Sequence, residues 1–530
     1  MPDKNAAIIS DEFDAMFTKR STWESHWRLV ADAVSPVHNF EGTRVPGEKM
    51  RQRMYDSTAA DASERLSAAL HSLATSASIR WFELHHPDED IDRQPPVRKW
   101  MRTATTTLLK WIGSAKSGFN VNIAEVYADL VTFGTAAMFI KEELEDNAFI
   151  ARPLSEIFLR ENDEQMVDAV YRLIKLTARQ AVQRWGPMVG PKVLEMAMKG
   201  GADASRAREY IHAVYHRDEV REDIPSPENK PWASLYVDRE LKMTVSVSGF
   251  NRMPYVTPRW RKYTGEIYGR GPGMVAMPEA MMMNSMQRSV LIAAEKAIDP
   301  PLAIPYDGFI SPLKTQPGGL NYKQPGSSED VQPIVAPRDF RAADLQLEKR
   351  EEKIRLMFLQ DMLSLPMQDR MTAEEVAQRR TDRMQLMSPV LFRLESELLS
   401  PIVERSFEML DRHRKFPEKP GELAGSVPDI EYVSPLALAQ RASESGNIQR
   451  ALSVLMPFIQ GDPRVLQNFD TDFLARKMWL MHNNDPAALR AEDDVVQIRE
   501  QQAQAEQAAQ AAATAVDAGR AAKDFAGVNR

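Results

Sequence analysis

"YGRGPGMVAMPEAMMMNSMQRSVLIAAEKAIDPP", Tyr268–Pro301, is the stretch on which the reading of this chain turns. Glycine and proline open it and Asp299-Pro300-Pro301 closes it, so the spacing predicts one helix over about 273–298. At 1.5 Å per residue such a helix is ~39 Å long. Six methionines fall between Met274 and Met286. The N-terminal half is apolar nearly all round, which calls for neighbours on more than one side. Met277, Met281, Met282 and Met286 are the candidates for packing, including packing between copies of the chain. Thioethers also make adaptable binding surfaces, but buried helix contacts are the simpler account. "GRGPG" at 269–273 lacks the G-x-G-x-x-G spacing of a dinucleotide loop and reads as the turn that starts the helix.

Downstream, residues 300–340 are rich in proline and glycine and suit short strands and loops. "AADLQLEKREEKIRLMFLQDML" then predicts a second helix over Ala342–Leu363, about 35 Å with its lead-in. Leu347, Ile354, Phe358 and Met362 share one face; Glu348, Glu351, Glu352 and Arg355 lie mostly on another. Two helices of matched length around a compact excursion suggest an antiparallel pair with a small module at its far end. "SLPMQDRMTAEEVAQRR", Ser364–Arg380, follows. Pro366 stops the second helix, and Thr372 with Glu375 has capping-box spacing for a third. That third helix carries expected kinks at Pro389 and Pro401.

Upstream, the first ~135 residues read as helical. Ser21 and Glu24 have capping-box spacing, and Trp23, Trp27, Val30 and Val34 make one apolar stripe. Leu66, Leu70 and Leu73 share a face of an Ala/Leu-rich segment, and Gly134 breaks the last helix before a strand, "AAMFIKEEL". Between Ala148 and Glu266 the chain turns rich in β-branched and aromatic residues, with Thr177 expected to cap a short helix. "DIEYVSPLALAQRA" gives a short strand and a turn into further helices, and the Ala/Gln/Glu-rich C-terminus has little apolar surface to bury.

The 530 residues are too many for one ordinary core. With 67 basic and 75 acidic residues the net charge is −8. Tight nucleic-acid binders are usually basic, because phosphate neutralisation supplies their affinity; an acidic chain can still let nucleic acid slide past. Cysteine is absent, which excludes disulfides, thiolate metal sites and a Cys nucleophile. No apolar run reaches signal-peptide or membrane-spanning length. There is no Walker A loop, no H-E-x-x-H and no G-x-S-x-G, so no enzyme is expected. His85 and His86, followed by Asp88, Glu89 and Asp90, could in principle ligate a metal; an exposed acidic loop is the simpler account, and no metal or cofactor is expected. The mixed-charge run "EKREEKIR" is either a solvated face or a set of lateral ion pairs between copies in a ring.

The order of these motifs resembles the portal proteins, or head-to-tail connectors, of short-tailed bacteriophages. The resemblance runs from about Phe13 to about residue 480. "MYDSTAADASERLSAALHSLATSASIRWFEL" is similar to the family's Asp-Ser-Thr helix and Trp-Phe strand. "VYADLVTFGTAAMFI" resembles its helix ending in Phe-Gly-Thr, and "EIYGRGPGMVAMPEAMMMNSM" its Tyr-Gly-Arg-Gly-Pro lead into the stem. "DPPLAIP", "PGGLNY", "MTAEEVAQRR" and "YVSPLALAQR" resemble later segments. Each motif alone is weak, and the set in order is specific.

The resemblance implies an α+β, mainly helical, ring-forming portal fold with wing, stem, clip and crown regions. It places the wing at 1–268, stem helices at 269–299 and 341–363, and the clip at 300–340. It places a tunnel loop at 364–371, a long kinked helix with a wing return at 372–435, and a helical crown at 436–530. It further implies a dodecameric ring at one capsid vertex, assembled in the host cytoplasm, through which double-stranded DNA is packaged and ejected. Terminase, then a tail adaptor, would dock on the clip, where Gly318, Gly319, Tyr322 and Lys323 are the candidate contacts. Capsid and scaffold proteins are the remaining partners. Met367, Gln368, Asp369, Arg370 and Met371 would face the DNA channel, with Glu348, Lys349, Glu351, Glu352 and Arg355 as stem charges. Two other classes stay open: a metal-dependent nuclease using the acids near residue 88, and another ring-forming structural virion protein.

Overall fold

A computed structural model describes residues 4–36, 54–76, 80–92, 94–143, 148–217, 226–303, 321–322, 332–333, 341–360, 387–423 and 428–432. Beyond these it describes 448, 451–458, 460–462, 465, 468–481, 489–490, 495, 497–502, 504–505 and 507. The chain divides into two units, Met1–Trp81 with Thr103–Pro417, and Phe82–Arg102 with Glu418–Arg530.

In the first unit, helix α1 (Lys4–Val34) is continuous. The Ser21–Glu24 spacing predicts a helix start that does not occur. Ser21 instead donates its hydroxyl to the Thr18 carbonyl at 2.9 Å, the usual behaviour of a mid-helix serine. Glu24 reaches Arg20 and Arg28 at 3.3 and 3.8 Å rather than folding back on Ser21. Buried Ala6, Ile9 and Phe13 hold the upstream half of the helix in place. Helices α2 (Thr58–Ala74), α3 (Pro95–Ile112, which begins in the other unit) and α4 (Phe119–Phe133) follow.

The central sheet has five antiparallel strands in sequential order: β4 (Ile157–Glu161), β5 (Val167–Thr177), β6 (Ala207–His216), β7 (Trp232–Asp238) and β8 (Met243–Phe250). Alternation along a strand sends successive side chains to opposite faces. On β6, Ile211 and Ala213 meet Phe13 of α1, while Tyr210 meets a second core on the other side. That second core holds α5 (Ala178–Trp185) and α6 (Pro191–Lys199), inserted between β5 and β6. Thr177 caps α5 as its sequence predicts, in a reciprocal box with Gln180. A three-stranded sheet, β3 (Phe149–Ala151), β2 (Met138–Ile140) and β9 (Tyr255–Val256), lies beside α4.

Two helices, α7 (Pro272–Ile298) and α8 (Arg341–Met357), frame a small strand pair, β10 (Leu302–Ala303) with β11 (Gln332–Pro333); α8 ends at Met357, before the expected Leu363 and shorter than α7, because the chain turns there with Leu359 at φ +57°. The chain from 387 to 412 is helical with one π turn, Glu395–Leu399, directly before α9 (Ser400–Arg412). Pro401 at the start of α9 lacks the N–H that would continue the ladder, and the wider turn absorbs the loss. In the second unit β1 (Phe82–His85) pairs antiparallel with β12 (Asp429–Tyr432), and helix α10 (Thr471–Met481) lies further on.

Candidate functional site

The α7–α8 pair packs on α1, α2 and α4. The two helices run antiparallel: the strand pair 302↔333 joins the end of α7 to the start of α8, and Glu279 early in α7 meets Arg350 and Lys353 late in α8. Glu279 lies 2.7 Å from Arg350 and also accepts from Lys353. The Lys353 hydrogen bond, with the Arg350 charge, holds the Glu279 carboxyl below its ordinary range. Leu347, Ile354 and Phe358 are buried, so the apolar face read from the sequence is the packed face of this segment; Met362 lies outside the described residues.

The root of α7 is fixed by backbone packing against the end of α4. Gly134 caps α4 with φ +78°, its N–H bonding the Leu130 carbonyl at 2.9 Å. A Cβ on Gly134 would lie 2.2 Å from the Gly271 nitrogen, and one on Gly273 would lie 2.6 Å from the Thr132 carbonyl oxygen. The hydroxyl of Thr135 accepts from the Gly269 N–H at 2.8 Å. The Phe-Gly-Thr and Gly-Arg-Gly-Pro-Gly motifs are therefore two halves of one joint, and the second is the helix-starting turn its spacing suggests. Further along α7, the side-chain oxygen of Asn284 accepts from the Tyr55 N–H at 2.6 Å and the Asp56 N–H at 3.3 Å. Asp56 in turn accepts from Thr58, at 3.2 Å from its N–H and 2.8 Å from its hydroxyl, at the start of α2.

The methionines of α7 divide. Met274 and Met283 are buried in the unit's own core, whereas Met281 and Met282 are 47% and 48% exposed, beside Val275 at 58%. Met277 and Met286 are half-buried. On α8, Glu348, Lys349, Glu352 and Arg355 are exposed, and the half-buried Glu351 pairs with Arg355 at 3.2 Å. Sequence reasoning singled out those five charges and missed the three that join the helices. The signal available was Glu279 itself, one acid in an apolar half-helix that burial obliges to find a cation. Tyr322 is exposed. Gly318, Gly319, Lys323, the loop Met367 to Met371, and the Thr372–Glu375 pair lie outside the described residues.

The metal reading fares differently. In the second unit His85 lies 3.1 Å from Glu431, 3.7 Å from Glu83 and 3.3 Å from Asp92. Glu431 first, then Glu83, pushes its imidazole up to about 10. His86 accepts from the Asp88 N–H at 3.0 Å, which closes a local turn. Among the described residues no group of three or more His, Asp or Glu is placed to hold a metal ion, and no helix is long and apolar enough to cross a membrane.

The family described as bacteriophage head to tail connecting protein matches residues 6–489. The probable portal protein of Bordetella phage BPP-1 is 28% identical over 518 residues, covering 96% of this chain and 92% of its own. The portal protein of Salmonella phage epsilon15 is 27% identical over 521 residues, covering 95% and 92%. Among solved structures, the neck of an empty gene transfer agent particle aligns with 77% of this chain and 91% of its own, at 12% identity and a TM-score of 0.38.

Proposed function

This chain belongs to the head to tail connecting proteins of bacteriophages, and we propose that it works as a portal subunit. Copies close into a ring, a dodecamer in the particle, at one capsid vertex. Double-stranded DNA enters and leaves through the ring's channel. The role is structural: the chain shapes and lines a passage, and terminase supplies the motor. The observation that carries the reading is the paired α7 and α8 with opposite surfaces. Val275, Met281 and Met282 leave apolar area uncovered on α7, which a lateral neighbour would bury. Glu348, Lys349, Glu352 and Arg355 give α8 a mixed-charge face, which suits passage of a polyanion better than capture. A ring repeats each such residue around its axis.

In this reading the wing spans 1–268, the stem 269–299 and 341–363, the clip 300–340, the tunnel loop 364–371, the kinked helix and wing return 372–435, and the crown 436–530. Tyr322, with Gly318, Gly319 and Lys323, meets terminase and later the tail adaptor. Capsid and scaffold proteins are its other partners, met during assembly in the host cytoplasm.

The test is axial electron microscopy of the purified chain beside Met282→Glu. Burying an unpaired carboxylate at a subunit contact costs about 3–5 kcal/mol, so the variant is expected to shift from rings to monomers at concentrations where the wild type is closed. Variant rings at wild-type yield, or a wild type that stays monomeric at every concentration, would overturn the reading. The loop has its own test. In this reading Met367 to Arg370 touch the DNA, with Arg370 offering transient phosphate contact and Asp369 limiting it. Shortening Met367–Arg370 to two residues is expected to leave rings intact and to lower the DNA content of particles; full-length genomes at wild-type content would remove the loop from the DNA path.

A further inference from the structure

A cavity of about 350 Å³ opens in the first unit between the end of α3 and the start of α4. Arg80, Lys110 and Asn120 line it, together with Thr106, Trp81 and Phe119. Trp81 and Phe119 are buried and stack at 6.2 Å with their planes 10° apart, which gives the cavity a rigid apolar wall. Among the described residues, the side chains of Arg80, Lys110 and Asn120 have no hydrogen-bond or ion-pair partner. The surrounding sequence supplies none either: from Pro95 to Ala124 there are cations at 98, 99, 102, 110 and 116 and not one Asp or Glu. In a chain of net charge −8 that is a local reversal of sign.

We propose that this cavity binds a phosphoryl oxyanion. A guanidinium, an ammonium and a carboxamide reach one space from three separate segments, at 80, 110 and 120. A planar carboxylate is satisfied by one guanidinium fork, whereas a tetrahedral anion with three or more acceptor oxygens uses donors converging from several directions. The volume exceeds what a bare ion fills and lies within the range of small-ligand sites. The phosphoryl group could come from a free phosphate compound or from a nucleic-acid phosphodiester, which the same donors would hold.

The probe is inorganic pyrophosphate, titrated into the full chain at constant ionic strength and followed by calorimetry and phosphorus-31 resonance. Saturable binding is expected. Arg80→Gln and Lys110→Gln should each weaken it about tenfold or more, the loss of one charge-assisted contact. Lys192→Gln, on α6 away from the cavity, should leave it unchanged. Should a glutamine variant misfold, Asn120→Asp puts a carboxylate into the cavity and must also weaken binding. A pentathymidylate that displaces pyrophosphate assigns the ligand to nucleic acid; one that does not assigns it to a free phosphate compound. No saturable binding, unchanged affinity in the variants, or equal displacement by citrate would overturn the proposal.

Discussion

Gly134→Ala is expected to give no soluble, folded chain. Two effects act at this residue, and their sizes decide which one matters. Its φ of +78° costs an alanine only about 1–2 kcal/mol. The new Cβ, however, would lie 2.2 Å from the Gly271 nitrogen, 2.5 Å from the Arg270 carbonyl carbon and 2.6 Å from the Gly269 oxygen. These are backbone atoms at the root of α7, and no side-chain rotation relieves them. The joint must open, which releases the Gly269 N–H from Thr135 and the Trp260 N–H from the Gly134 carbonyl. Gly265→Ala is the control: φ is +83° there, but nothing lies within 4 Å of the added carbon. It carries the strain without the collision and should express and fold. Equal soluble yields of the two variants would mean that the glycine joint does not hold the helix pair to the rest of the unit.

How much of this was legible in the sequence follows from how local each feature is. The limits of α7 could be read because Gly271-Pro272 and Asp299-Pro300-Pro301 act on their own neighbours. The Thr177 cap is equally local. Ser21–Glu24 has the same spacing and fails, because nothing in four residues reveals that Phe13 upstream is anchored on Phe158 with ring centroids 4.7 Å apart. The pairing of Phe82 with Tyr432 joins the ends of most of the chain and leaves no periodic trace in either strand. The candidate site shows the same division. The apolar face of α8 was visible as a period, whereas the Glu279 clamp depends on how α7 and α8 come into register. The glycines of the joint were visible as motifs, but their reason, backbone laid on backbone, is a tertiary fact.

The strongest of these tertiary facts is Arg259, and replacing it by alanine should cost about 3–5 kcal/mol, the usual loss when one member of a buried charge network is removed. Its side chain is 5% exposed and its fork grips Glu397 twice, from Nε at 3.1 Å and Nη2 at 2.8 Å. Its backbone N–H also donates to Glu397, at 2.9 Å. Nη1 pairs with Glu161 on β4, which Lys262 also reaches at 2.7 Å. Glu397 lies in the π turn before α9 and is held from its own helix by Arg393 at 3.2 Å. One guanidinium thus fastens the irregular turn of the third long helix to the edge of the central sheet. Alanine would leave Glu161 to Lys262 alone and Glu397 to Arg393 alone, in a site with little water. Lysine would keep the charge but lose the fork, so Arg259→Lys should fall between alanine and wild type. The first thermal transition of the purified chain should drop by about 4–6 °C for alanine, the shift expected for a unit of this size. The double variant Arg259→Met, Glu397→Gln keeps Glu161 paired with Lys262 and removes the acid that lost the guanidinium fork, so it should recover part of the loss. An alanine variant that melts with the wild type, or a double variant no better than the alanine one, would show that this network does not fix the helix to the sheet.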